Sequence, residues 1–184
     1  SIIENVLNKE YIAKAKIALE KAIKTEVNYH GNKNYKDYGM VILCSLYDKI
    51  FTNLFDNENI ILPFEAILGE GCIVYAYTSS SMPPESTNYS RRIHVDCPRL
   101  IPNNITNMGA TILLDDFTEE NGATYFLPNS HVMPKAPSED FFNSNAKRLI
   151  AKAGSVWFFN ARIWHAGGEN KTKLDEDIDE NQAM

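Results

Sequence analysis

No run of about 18 apolar residues occurs in this 184-residue chain, so it offers no helix that could cross a membrane. Cysteine is scarce. There are three, Cys44, Cys72 and Cys97, odd in number and far apart. That excludes a disulfide framework and a zinc-type cysteine pair, and it suits a reducing, cytoplasmic setting. Cys97 reads as a small core residue. Positive charge is in deficit: the net charge is −6, which counts against nucleic acid or an anionic membrane surface as a partner. No secretory leader is legible ahead of the first helix. Internal repeats, low-complexity tracts and domain linkers are also missing, so the expectation is one domain over 1–184. Within it, 1–60 reads as a helical part, 70–172 as a β core, and 173–184 as an acidic tail, either disordered or standing where a final strand is lacking.

What is present divides cleanly. Residues 2–27 carry Ala, Leu, Ile, Lys and Glu near helical spacing and predict a helix with a lysine-rich solvated face. A polar loop over 28–39 follows, with His30 as a surface residue. A second helix is expected over 45–57, with Ser45 as its N-cap. The stretch 63–68 fits a helical turn or a strand equally. From Gly71 the period changes to that of strands, and seven short ones are expected: 72–78, 91–97, 109–115, 123–127, 148–153, 156–159 and 163–166. Short strands separated by turns imply an antiparallel sandwich or barrel, here mainly β with N-terminal helices.

Histidine is nearly as scarce as cysteine: four in all. Two of them carry the argument. His94-Val95-Asp96 is a His-x-Asp pair on an expected strand, where alternation puts both side chains on one face. His165 arrives much later, on a short strand before Gly167 and Gly168, and only a fold that returns to the same place can bring it to the pair. Two imidazoles and one carboxylate hold one face of a metal ion and leave positions open, the donor set of non-haem Fe(II) oxygenases. By itself such a pair is a weak signal, and a packed or surface histidine is the commoner use.

The flanking sequence adds to this. The run 115–124 (Asp-Asp-Phe-Thr-Glu-Glu-Asn-Gly-Ala-Thr), then Phe126-Leu127-Pro128-Asn129-Ser130-His131, then Ala153-Gly154-Ser155-Val156 leading to His165-Ala166-Gly167-Gly168-Glu169-Asn170-Lys171-Thr172, resembles the phytanoyl-CoA dioxygenase family over roughly 70–172. The resemblance implies a double-stranded β-helix, or jelly roll, of the cupin-like kind. It also implies an Fe(II)- and 2-oxoglutarate-dependent dioxygenase that oxidises a small-molecule substrate with dioxygen, releasing succinate and CO2. His94, Asp96 and His165 match the family's metal ligands one for one. Halogenating relatives lack the carboxylate, so Asp96 implies hydroxylation or a related oxidation.

In one place the sequence departs from the family, which has an arginine beyond the distal histidine to pair with the far carboxylate of 2-oxoglutarate. This chain has Lys173-Leu174-Asp175-Glu176-Asp177-Ile178 there. Arg92, two residues before His94 and so expected on the same face, is the substitute candidate; Lys171 and Lys173 are weaker ones. Tyr75, Tyr77, Thr111, Thr124 and Trp157 are further candidates for cofactor contact; the tyrosines could equally pack, the threonines are ordinary strand residues, and for Trp157 a core role is the commoner use. His131 is expected to serve its turn rather than a metal. Two other readings stay open: a catalytically silent jelly-roll protein that binds a metal or ligand, and a cupin-like enzyme using a different metal.

Overall fold

The computed structural model describes residues 1–30, 39–85 and 89–173. Most of the expected loop, residues 31–38, and the acidic stretch 175–180 therefore lie outside the described residues.

The N-terminal helix, α1 (Lys9–His30), starts later and ends later than its composition suggests. Ile2–Ile3 is instead a strand, β1, and Asn5 takes a positive φ of 58° before the Asn8 side chain accepts from the Tyr11 N–H at 2.8 Å. Two β-branched residues followed by two asparagines favour an extended start and a turn over a helix. Asn28 to His30, expected in a loop, belong to the helix. Its Ala15, Ala22 and Ile23 are buried, and Ala18, Leu19 and Val27 pack beside them.

The expected helix 45–57 is broken. Leu43 has a left-handed φ of 61°, a 3-10 turn covers Cys44–Leu46, and the α-helix α2 is only Lys49–Thr52. Its cap is Asp48, which accepts from Ile50 N–H at 2.9 Å, not Ser45. The ambiguous stretch 63–68 is helical, the second half of α3 (Glu58–Leu68), which Asn57 caps. Another short helix, α4 (Glu139–Asn145), escaped the periodicity reading, although Ser138-Glu139-Asp140 is a helix-start sequence and Ser138 caps it.

The strands form two antiparallel sheets of three. In the first, β5 (Val156–Asn160) lies between β1 and β2 (Met108–Ile112), with Thr111 opposite Trp157 and Gly109 opposite Phe159. In the second, β3 (Tyr125–Phe126) lies between β4 (Lys147–Arg148) and β6 (His165–Ala166), with Phe126 opposite His165. Alternation along β5 sorts its two faces. Val156 and Phe158 pack on Leu7, Leu54 and Ile60 of the helical part. Trp157 and Phe159 face the other way, onto Phe126 of the second sheet, Leu149 just after β4, and Phe117.

Two positions, one in a turn and one in a strand, need glycine to bring the chain close. Gly154 has φ 86°, and a Cβ there would meet the Leu7 carbonyl at 2.5 Å. At Gly109, on β2, a Cβ would stand 2.3 Å from the tip of the Phe159 ring on the paired strand.

Five of the seven expected strands appear, most of them shortened. The two that do not form regular strands are instructive. The segment 91–97 contributes a single bridge, His94 to His165, and 72–78 a single bridge, Thr78 to Ile42. A strand needs a neighbour to pair with. Among the described residues β2 pairs only with β5, and the β-rich residues Ile73, Val74 and Tyr75 stand 85%, 56% and 83% exposed. No helix among the described residues is long and apolar enough to cross a membrane.

Candidate metal centre

His94 and His165 sit directly opposite each other. Each N–H donates to the other's carbonyl at 2.9 Å. Residues so paired on antiparallel segments project their side chains from the same side, and the two rings lie 4.3 Å apart between centroids. Asp96 follows two residues on. Its N–H and that of Cys97 both donate to the Ala161 carbonyl, at 2.9 and 3.0 Å, which fixes the segment against the turn between β5 and β6. The Asp96 Oδ1 then lies 3.6 Å from His94 Nε2 and 3.7 Å from His165 Nε2. All three donor atoms fall within 4.8 Å of one another, the one such histidine–carboxylate–cysteine group among the described residues.

The far nitrogens of both rings are committed elsewhere. His94 Nδ1 is 2.6 Å from the Arg92 carbonyl, and His165 Nδ1 is 2.9 Å from the Ile163 carbonyl. A carbonyl only accepts, so each Nδ1 carries the proton and each Nε2 lone pair is left facing Asp96. That tautomer is the one a metal requires. His165 is buried, walled by Phe159 and Trp157 at 5.4 and 6.4 Å between ring centroids, and those two rings stack on each other at 4.2 Å. Asp96 is 45% exposed, so the cluster is closed behind and open in front.

The charges follow the geometry. Burial pushes His165 below the ordinary 6.5, favouring the neutral ring. His94 is raised above 6.5, chiefly by the carboxylate facing it, against the pull of desolvation. Burial raises Asp96, but the two imidazoles facing it outweigh that and hold it below 3.8. A carboxylate thus stays ionised between two imidazoles, one of them already neutral. Such a set suits a divalent cation: it supplies one compensating charge and two neutral nitrogens, and leaves coordination positions on the open side.

The remaining candidates separate. Trp157 is at the site, its ring edge-on to His165. Thr111 lies opposite it on β2, on the face that carries the stacked rings. Thr124 is half-buried, its carbonyl accepting from Leu149 N–H, two residues before Phe126 on the second sheet. Tyr75 and Tyr77 do not share a face, because their segment is not a paired strand. Tyr75 is exposed, whereas Tyr77 packs between Phe51 and Phe55 and donates to the Phe51 carbonyl at 3.2 Å, on the helical side of the core. Arg92 follows a 3-10 turn, Tyr89–Arg91, rather than lying in a strand. Its guanidinium is exposed over the Tyr89 ring at 5.8 Å, and it is its carbonyl that serves the cluster. Lys171 and Lys173 are exposed. His131 contributes its backbone carbonyl, which accepts from Arg162 Nε.

The other motif residues build turns. Asn121 accepts from Thr118 N–H and donates to the Asp116 carbonyl, and Asp116 accepts from Ala153 N–H at 2.8 Å. Buried Asn170 donates to the Met82 carbonyl and accepts from Thr172. Sequence reasoning missed Arg162 altogether, since a lone arginine in a turn carries no periodic or spacing signal.

Two antiparallel sheets behind N-terminal helices, with two histidines and an aspartate converging between segments, define a site able to hold a divalent metal ion. The match to known sequences gives the family. The chain belongs to the phytanoyl-CoA dioxygenase (PhyH) family, whose model matches residues 2–175. Two uncharacterized proteins, from Mycobacterium bovis and Mycobacterium tuberculosis, are each 26% identical over 183 residues, covering 95% of this chain and 67% of their own length. The chain thus spans about two thirds of the length of these relatives. A dioxygenase of Aspergillus terreus, trt7, is 36% identical over 70 residues, covering 36% of this chain and 23% of that protein. Among solved structures, the non-heme alpha ketoglutarate dependent carbocyclase SnoK from nogalamycin biosynthesis shares the fold. Its TM-score is 0.71 at 17% identity, over 94% of this chain and 74% of SnoK. EvdMO1 is similar, with a TM-score of 0.68 at 18% identity over 94% of this chain and 44% of its own.

Proposed function

We propose that this chain is an Fe(II)- and 2-oxoglutarate-dependent dioxygenase that hydroxylates, or otherwise oxidises, a small-molecule substrate, and that its sheets are the walls of one double-stranded β-helix domain. The observation that carries the reading is the convergence of His94 Nε2, Asp96 Oδ1 and His165 Nε2, with both Nδ1 atoms tied to carbonyls. These three would hold the iron, which when bound supplies the redox centre at which dioxygen and 2-oxoglutarate are converted to succinate and CO2 as the substrate gains oxygen. The chain's own residues do the rest. Asp96 lowers the charge of the centre, Phe159 and Trp157 keep water from the back of His165, and the exposed side of Asp96 leaves room for substrate and co-substrate. Thr111 and Thr124 are candidate hydrogen-bond partners of the oxo-acid. Three free cysteines suit the reducing, cytoplasmic setting expected above.

The test is direct. Anaerobic addition of Fe(II) and 2-oxoglutarate should produce a weak visible charge-transfer band, and its absence counts against the assignment. One observation favours a second reading, a jelly-roll protein that binds without catalysing: residues 166–173 supply Lys171 and Lys173 but no arginine for the far carboxylate, and the Arg92 side chain lies over Tyr89. Succinate formation coupled to oxygen uptake separates the two; binding without turnover supports the silent protein.

A further inference from the structure

Asp96 is the least supported of the three candidate ligands. His94 and His165 each have a carbonyl behind the ring, while the Asp96 carboxylate is half exposed and, among the described residues, faces the two histidines. What holds it in place lies outside its side chain.

The segment carrying Asp96 is fastened to the 160–164 turn by the Ala161 carbonyl and, just beyond, by Arg162. The Arg162 guanidinium spreads its donors over three carbonyls from two other segments. Nε donates to His131 at 2.9 Å, one terminal nitrogen to Met133 at 2.6 Å, and the other to Pro98. Its own N–H is held by Asn160 Oδ1 at 2.9 Å. Next to it, Trp164 N–H donates to the buried Ser130 hydroxyl at 2.9 Å. Arg162 therefore lies three residues before His165, bonds two residues after Asp96, and ties both to the 130–133 turn. A planar fork with five fixed donors can serve three carbonyls at once; an ammonium cannot do so in fixed directions.

We infer that Arg162 is a positioning residue for the metal centre, setting the reach of Asp96 toward the ion through Pro98. The inference rests on the reading of His94, Asp96 and His165 as metal ligands. It predicts that Arg162 matters to metal affinity chiefly through Asp96, its bonds to the 130–133 turn adding less through His165.

The experiment measures Co(II) binding to the whole chain by titration of its visible absorption, together with the shape of the spectrum. Arg162→Met should weaken Co(II) binding about 10- to 100-fold, the range seen when a ligand's supporting partner is removed, and should shift the spectrum toward that of Asp96→Ala. Arg162→Lys should fall between Met and wild type, and it carries the test alone if the methionine variant does not fold. The decisive comparison is made in the Asp96→Ala background, where Arg162→Met should change affinity less than about twofold because the group it positions is gone. Wild-type affinity in Arg162→Met, or a full further loss in the double variant, overturns the inference. Wild-type protein that takes up no Co(II) overturns the metal-centre reading itself.

Discussion

His94 and His165 exchange both of their backbone hydrogen bonds, so the distance between their rings is set by the sheet and not by the side chains. The two nitrogen donors are thus in place before any ion arrives, and Asp96 completes the set from the same segment as His94. The cost of ordering the ligands is met largely in folding, and removal of each ligand should show this differently.

His94→Ala, Asp96→Ala and His165→Ala should each weaken Co(II) or Mn(II) binding by 100-fold or so, about 3 kcal/mol, since two donors remain. Of the three, His165→Ala should lower the melting temperature of the chelated protein most, because its ring is buried against Phe159 and Trp157. Titration calorimetry and thermal denaturation in chelator measure the two effects. Equal stability loss from all three substitutions would contradict the buried and exposed placements.

The metal-free protein should show a pH window. His94 is raised above 6.5, chiefly by facing Asp96, so its contribution is present in full below 6.5 and lost as pH rises through the raised value. Asp96 is held below 3.8; burial opposes this and its histidine neighbours prevail, so its contribution is present above 3.8 and lost as pH falls through the lowered value. His165, lowered by burial, adds a cost on the acid side, where the unfolded ring binds a proton more readily. The pair is therefore intact from below pH 3.8 to above pH 6.5. Chemical denaturation in chelator across this range should lose pH dependence above neutrality in Asp96→Asn, and an unchanged profile there would refute the pairing.

Metal binding should release a proton near neutral pH. The His94 imidazole must be neutral to ligate, and it is the ring of raised affinity for protons. Calorimetry in two buffers of different ionisation enthalpy should return about half a proton at the pH where His94 is half charged, rising toward one as pH falls below it, and close to none in the His94→Ala variant.

Gly109→Ala should cost about 1–3 kcal/mol of stability, because the new methyl would meet the Phe159 ring at 2.3 Å. Pairing it with Phe159→Leu should recover part of that loss, as a smaller side chain makes room. Urea denaturation of the single and double variants measures the coupling; strict additivity would show that the ring is free to move.

Tyr75 and Tyr77 should behave in opposite ways despite their spacing. Tyr77→Ala should cost about 3 kcal/mol as a large core truncation, whereas Tyr75→Ala, on the surface, should stay within about 0.5 kcal/mol. Neither should alter metal affinity, and a loss of affinity in either would return that residue to the site.

The candidate site was legible in the sequence because side-chain identity is local. His94-Val95-Asp96, the glycines after His165 and the turn motifs 115–124 and 126–131 each declare a type of side chain and a type of turn, and neither needs distant contacts to be recognised. The same holds for the strands Val156–Asn160 and Met108–Ile112, whose β-branched and aromatic content matches their structure. Other readings failed where the outcome depends on a partner. The stretch 72–78 is as β-rich as β5 yet pairs through one bridge, since strand formation depends on a neighbour with free hydrogen-bonding groups. Ile2–Ile3, expected as the start of the first helix, pairs instead with the edge of β5. Arg92 and Tyr77 were placed by counting alternate residues along segments that are not regular strands. Only the tertiary structure decided that His165 meets His94, that Arg162 clasps three carbonyls, and that Asp96 faces both rings. Those are relations between distant segments, and their energy exists only once the chain has closed on itself.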